Sequence, residues 1–342
     1  MKKKLTVILI FIMLGLVVLI FLPNYFSNTQ NDEKVKFVVN NGDNLTTVSQ
    51  KLYNKGVIRS KYWFKYKGSD IAAKLKPGEY AIPANTDIEE IYEILKKGGE
   101  EESVAITFPE GLTLYEFAQR VEEKGISTSD EFIDATNKYF KENSYDFNND
   151  DNYFNMEGYL FPDTYNFGKD QTIDEIVEKL VDTMDKVFTE DDLAQMKELD
   201  LNKHKILTIA SLIEREAEND EERQDISGVI YNRLKEDMPL QIDATVIYGK
   251  GEGREHTTRV LYSDLEKDNP YNTYKNEGLT PGPIASPGKE SIHAALYPKE
   301  HDYLFYVLGE DGHVFAETYD EHAKNVEAYR GMQEKEKSEL KN

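Results

Sequence analysis

Apolar positions along this chain recur mostly at helical spacing, and strand-like alternation is brief. Val35 to Val39 alternates like a short strand. Leu45, Val48, Leu52 and Tyr53 then follow helical spacing, and Gly56 is placed to end that helix. The pattern returns downstream: Ser103 to Phe108 reads as a strand, and Gly111-Leu112-Thr113-Leu114 opens a helical run that closes on Lys124-Gly125-Ile126. Both segments read strand, glycine turn, Leu-Thr and then helix, which predicts a duplicated strand–turn–helix unit. Gly78 to Ile82, followed by a helix over 87–97, is a looser third version. Ser129 to Asn149 reads as a helix running into a polar loop. Further helices are predicted over 173–188, 190–199, 206–217 and 221–234, with a last one from about Glu321. Between 239 and 315 the pattern is loop-rich with short strands. The fold class is therefore α+β.

One stretch belongs to another solvent. From Leu5 to Leu22 there is no charge, enough for a helix of roughly 27 Å against a bilayer core of about 30 Å. A cleaved signal would have a shorter apolar region, and Pro23-Asn24-Tyr25-Phe26 is a poor cleavage site. Lys2, Lys3 and Lys4 precede the run, and no Lys or Arg lies between Asn24 and Asp32, which places the N-terminus in the cytoplasm. The expected order is a cytoplasmic stub (1–4), a transmembrane helix (5–22), a tether (23–34), a small β/α subdomain (35–100), a mixed α+β domain (101–332) and a charged disordered tail (333–342). Such a protein is single-pass in the cell membrane with its main domain extracellular. Its net charge of −23 argues against nucleic acid as a partner. The absence of cysteine removes disulfides, thiolate chemistry and thiolate metal sites.

Several catalytic patterns are missing. There is no His-Glu-x-x-His, no phosphate-binding loop and no Gly-x-Ser-x-Gly elbow. The six histidines are scattered, so no metal site and no cofactor is expected. Carboxylate chemistry remains. Leu207 to Ala217 is an amphipathic helix that carries Glu214 and Glu216 on an aliphatic, small-residue background. A carboxyl in that setting is desolvated and its pKa rises, which suits a proton donor near neutral pH. The two glutamates lie about 200° apart around the helix and cannot face one ligand together. Periodicity prefers Glu216 only slightly, and either side chain is also compatible with an ordinary helix surface. Downstream, the Leu240 to Gly249 segment, Tyr271-Asn272-Thr273-Tyr274 and the Pro/Gly-rich loop Gly278 to Gly288 bring amides, hydroxyls and tyrosines onto rigid backbone. That surface suits an uncharged polar polymer such as a sugar chain.

Several motifs in series carry a family resemblance. They are Glu157-Gly158-Tyr159-Leu160-Phe161-Pro162-Asp163-Thr164-Tyr165, Ala210 to Glu216, Val229 to Leu234, Leu240 to Gly249, Tyr271 to Tyr274 and Gly278 to Gly288. In this order, behind an N-terminal anchor, they resemble the YceG-like family, the endolytic murein transglycosylases. Residues 35–98 also resemble a LysM-like module, a unit associated with N-acetylglucosamine polymers. The resemblance implies a lytic transglycosylase in which Glu216, the second glutamate of Glu-x-Glu, is catalytic. Many members carry Thr or Ser after that glutamate, and this chain has Ala217. The implied substrate is the peptidoglycan glycan strand, cut at MurNAc–GlcNAc bonds. Gln241, Asp243, Tyr271, Asn272 and Tyr274 are assigned to substrate positioning, and Glu157 to shaping the site. Two rivals stand beside this reading: a muramidase-type hydrolase with a second carboxylate, and a non-catalytic membrane-anchored wall-binding adaptor. An enzyme that terminates nascent strands would also gain from proximity to peptidoglycan synthases or the elongation and division machinery.

Overall fold

Two compact units divide the chain between Ser103 and Val104. The computed structural model describes residues 25, 31–40, 42–99, 103–145, 147, 150–168, 171–254 and 259–339. The predicted transmembrane helix 5–22 lies outside these residues. Among the described residues no helix is long and apolar enough to cross a membrane.

In the first unit β1 (Val35–Val39) pairs antiparallel with β2 (Gly78–Ile82), with Phe37 opposite Tyr80. Between them run α1 (Leu45–Asn54), α2 (Lys61–Lys67) and a 3-10 turn (Ser69–Ile71), and α3 (Ile88–Lys97) follows β2. The apolar faces of these elements, among them Phe37, Leu52, Phe64, Ile82 and Leu95, close one core. Helix α2 was not apparent in the pattern because only Phe64 of its seven residues is buried.

The second unit contains the other copy of the repeat. Strand β3 (Ser103–Thr107) pairs with β4 (Thr164–Gly168), and α4 (Leu114–Glu123) follows the turn. The likeness of the copies is structural as well as sequential. Gly56 and Gly125 both take left-handed backbone, at φ 70° and 69°. In both, the next residue's N–H reaches back to the last turn, Val57 to Leu52 O and Ile126 to Val121 O. This is the helix stop that glycine permits and other residues resist.

Helices α5 (Ser129–Glu142), α6 (Ile173–Val187) and α7 (Glu190–Glu198) each start at a threonine N-cap, with Glu or Asp reaching back from the third position. At the centre lies α8 (Lys203–Glu216), in which every residue from Ile206 to Ile213 is buried. A helix buried all round has neighbours on every side. Here these include α9 (Arg223–Lys235), α10 (Asp243–Lys250) and α12 (Lys289–Leu296). Its polar residues are satisfied internally. Thr208 Oγ1 donates to His204 O, and Ser211 Oγ donates to Thr208 O while accepting from Ile284 N. That last bond fastens the Pro/Gly-rich loop to the helix. The same loop presses on Gly158, where an added Cβ would stand 2.5 Å from Pro283 Cβ.

The stretch expected to be loop-rich contains α10, a short α11 (Tyr262–Leu265) and α12. Helix α10 buries Ala244, Thr245, Val246, Tyr248 and Gly249, so it shows no polar face from which a helical period is read. After α12 come the antiparallel hairpin β5 (Phe305–Leu308) and β6 (His313–Ala316), then α13 (Tyr319–Glu339). The charged tail from residue 333, expected to be disordered, is helical as far as Glu339. Its Glu and Lys residues are good helix formers.

Ser211→Ala tests the fastening of the loop. It should leave the Ile284 N–H buried without its acceptor and lower unfolding free energy by about 1–3 kcal/mol in urea titration.

Candidate active site

Helix α8 ends at Glu216, and Ala217 turns the chain to extended backbone. The Glu216 carboxyl therefore sits where the last backbone carbonyls of a core helix point, which disfavours negative charge. Burial pushes its pKa up to about 7, with the charge of Asp243 adding to the rise. The Tyr306 hydroxyl opposes this by donating to Oε2 at 2.9 Å, as does the nearby Arg215 charge. Both charge states are thus accessible around neutrality. The tyrosine arrives from β5, ninety residues downstream.

The facing wall starts from Arg233 on α9. Its guanidinium is buried and finds carbonyls in place of a carboxylate: Nε donates to Leu304 O at 2.6 Å, and Nη1 to Pro239 O and Leu240 O. Nη1 also reaches Gln241 Oε1 at 3.4 Å. Gln241 itself has left-handed backbone at φ 54°, a strained position for a residue with a side chain. Its N–H is held by Thr273 O, and the next N–H, of Ile242, by Thr273 Oγ1. This clamp sets Asp243 as the first residue of α10. Its carboxylate accepts from the Tyr274 hydroxyl at 2.7 Å. Burial raises the Tyr274 pKa, and the charges of Asp243 and Glu216 add to it. Glu216, Tyr306, Asp243, Tyr274 and Arg233 thus form one electrostatically linked group, with Gln241 at its edge.

The remaining residues assigned to the site lie deeper. Tyr271 and Asn272 are each 1% exposed and Glu157 2%, so they present almost no surface to a ligand. Asn272 Nδ2 ties down Leu265 O and Lys267 O, while its Oδ1 accepts from Tyr274 N. Tyr271 stacks on Tyr153 at 5.2 Å and lies 4.8 Å from Tyr248. Glu157 accepts from Leu114 N, at the start of α4, and from the Tyr248 hydroxyl. Burial pushes its pKa up to about 8. These three residues hold the backbone that carries Tyr274, Asp243 and the start of α4.

Glu214 points into a different set of partners. Its Oε2 accepts from Gly288 N at 3.0 Å and Ser291 Oγ at 2.8 Å, with Arg223 Nη1 at 3.4 Å. It fastens the end of the Pro/Gly-rich loop and the start of α12. The two glutamates of Glu-x-Glu therefore divide the work, with Glu214 inward on the scaffold and Glu216 at the facing wall.

The sequence reading missed Tyr306 and passed over Arg233. Nothing local marks Tyr306, whose partner lies on another element. Arg233 did leave a signal, a lone guanidinium in the aliphatic run Val229 to Leu234. The pair Glu222 and His313 was missed as well. Glu222 accepts from His313 N and from its ring Nδ1 at 3.0 Å. Burial pushes the Glu222 carboxyl up, but hydrogen bonds from the His313 and Glu218 backbone and the His313 ring outweigh it and lower its pKa. The pair ties the hairpin that carries Tyr306 to the start of α9. Among the described residues no group of three acidic or histidine side chains is placed to hold a metal ion.

Comparison with known proteins extends over nearly the whole chain. The model of the YceG-like family matches residues 37–328. An endolytic murein transglycosylase of Bacillus subtilis (strain 168) is 37% identical over 318 residues, covering 88% of this chain and 86% of that protein. Another of that name, from Streptococcus pneumoniae serotype 2 (strain D39), is 31% identical over 314 residues; the match covers 83% of this chain but only 56% of the streptococcal one. A crystal structure of a yceG-like protein from Listeria monocytogenes superposes with a TM-score of 0.60 at 32% identity, covering 85% of this chain and 98% of that one.

Two pH experiments follow from these carboxyls. Tyr306→Phe removes a bond that favours ionised Glu216. The Glu216 pKa should rise above about 7, carrying the alkaline limb of the activity profile upward while overall activity falls. An unchanged limb would mean that Tyr306 does not set this titration. Glu157 is lifted from 4.5 to about 8 in the fold. The native state therefore holds a proton that the unfolded chain releases first. Its stabilising contribution is full below about 4.5 and lost as pH climbs through about 8. Melting temperatures of Glu157→Gln measured across that window should fall less steeply than those of the parent.

Proposed function

Because the chain belongs to the YceG-like family, we propose that it is a lytic transglycosylase of peptidoglycan, anchored in the membrane by residues 5–22, that cuts nascent glycan strands at MurNAc–GlcNAc β-1,4 bonds. The observation that carries this reading is the Glu216 carboxyl, with its pKa pushed up to about 7 at the end of a buried helix and its ionised form steadied by Tyr306.

The reaction needs one group that gives a proton and then takes one back. Protonated Glu216 delivers its proton to the glycosidic oxygen as the C1–O bond breaks. The departing GlcNAc leaves as an alcohol, and positive charge develops at C1 of MurNAc. The 2-acetamido group of that sugar stabilises the charge. Glu216, now a carboxylate, removes the proton from the C6 hydroxyl of the same sugar. That oxygen closes on C1, giving a 1,6-anhydro ring and restoring the protonated acid. No water is consumed, so one carboxyl suffices where hydrolytic glycosidases usually use two. A pKa near the working pH makes both transfers feasible. Tyr306 holds one carboxylate oxygen while the other faces substrate. Asp243, Tyr274 and Gln241 supply a hydrogen-bonding wall for the sugar, and Arg233 fixes that wall from beneath. Tyr271, Asn272 and Glu157 act through the backbone they hold. The small unit, whose two strands enclose helices α1 and α2 in sequence, would hold the strand if the LysM-like resemblance of residues 35–98 extends to binding.

The test is mass spectrometry of products from uncrosslinked strands, with the parent protein and Glu216→Gln. The parent should release 1,6-anhydroMurNAc ends, and the variant should lose activity by at least about 10²–10⁴-fold. Reducing ends would instead mean a hydrolase, with Asp243 the first candidate for the second carboxylate. Absence of cleavage by the parent would overturn the enzyme reading in favour of an adaptor.

A further inference from the structure

In a chain with net charge −23, the small unit contains a stretch of the opposite character. Between Asp43 and Asp70 there is no acidic residue, while Lys51, Lys55, Arg59, Lys61, Lys65 and Lys67 all fall there. Lys51 is neutralised by Asp43. Among the described residues none of the other five makes an ion pair with a carboxylate. They gather around α2, Lys-Tyr-Trp-Phe-Lys-Tyr-Lys, which buries Phe64 and turns its tyrosines outward. Tyr62 is 75% exposed and Tyr66 74%. One helical turn apart, they share a face. Lys61 Nζ lies 5.3 Å from the Tyr62 ring and Lys67 Nζ 5.7 Å from the Trp63 ring.

A second, independent observation concerns where the chain enters this patch. Tyr25 stands three residues beyond Leu22, the end of the apolar run. Its ring lies under Arg59, with the guanidinium carbon 4.5 Å from the centroid. Tyr25, which follows the apolar run closely in sequence, is therefore held against one of the cations of this stretch.

We propose that α2 and its flanking cations form a membrane-docking surface that rests on anionic phospholipid headgroups. The inference rests on the anchor assigned to residues 5–22. Tyrosine and tryptophan rings prefer the headgroup region, where an apolar body and a polar edge are both accommodated. Lysine and arginine beside them meet lipid phosphates within a Debye length of the surface. A chain as acidic as this one is otherwise repelled by such a surface, so a local reversal of sign at the point of membrane exit gives orientation as well as adhesion. Held this way, the small unit lies flat at the bilayer instead of swinging on its tether.

The protein contains its own reporter, because Trp63 is its only tryptophan. The full chain is reconstituted into vesicles of phosphatidylcholine with or without phosphatidylglycerol, with brominated acyl chains as quenchers. Trp63 fluorescence should be quenched in the anionic vesicles and much less in the neutral ones. Lys61→Glu/Lys65→Glu/Lys67→Glu should abolish the difference, and Tyr62→Ser/Tyr66→Ser should reduce it, both with unchanged circular dichroism. Equal quenching in both lipids, or none in the anionic ones, would overturn the docking surface. So would loss of quenching to soluble poly(glycerol phosphate) at equal phosphate concentration, which would assign the patch to a wall polymer. Flotation after alkaline carbonate washing reports the anchor separately. A chain that washes off fails the anchor, and quenching on adding that released chain to anionic vesicles still decides the docking.

Discussion

The site depends on desolvation of one carboxyl at the end of a helix whose central turns have no solvent face. Residues 206–213 of α8 are buried on every side, so its last turn emerges at the facing wall in a fixed direction. Glu216 inherits that rigidity. Its elevated pKa comes chiefly from burial, and burial depends on everything packed around the helix. A loosened core would hydrate the carboxyl and return it to the ordinary carboxylate range, where it would be a poor acid at neutral pH.

Polar groups buried around this helix do the fastening. Ser211 holds the Pro/Gly-rich loop, and Glu214 holds its far end through Gly288 N and Ser291. Arg233 ties the β5 entrance to the loop before α10 through three carbonyls. Glu222 ties the tip of the hairpin to the start of α9. Each is a charged or hydroxyl group whose loss would strand buried partners, a costlier change than loss of a surface contact. Together they bring Tyr306 and the Gln241–Asp243 turn, from separate stretches of chain, to the same carboxyl.

This arrangement also explains the form of the Glu-x-Glu motif. Residues two apart on a helix point nearly opposite ways, so Glu214 reaches the scaffold while Glu216 reaches Tyr306. Position 217 offers no hydroxyl in this chain, and the hydroxyl that meets Glu216 comes from Tyr306. The strained backbone at Gln241 lies in the same small region, where tight clamping by Thr273 maintains it.

The sequence by itself determined what is local or serial. Helical spacing, glycine stops and threonine caps are set by neighbours within one turn, so the repeated strand–turn–helix unit, most helices and the candidate helix at 206–217 were legible. The serial motifs were enough to identify the family. Helices α2, α10 and α12 were not legible, because one is mostly exposed and the others are largely buried, and neither condition leaves an amphipathic period. Only the tertiary structure gave Glu214 and Glu216 their different partners, sent Glu157, Tyr271 and Asn272 into the scaffold, and brought Tyr306 and Arg233 to Glu216 and Gln241. Those outcomes depend on hydrogen bonds between residues up to 90 positions apart. Periodicity records which face of an element is apolar, but not which distant donor that face will meet.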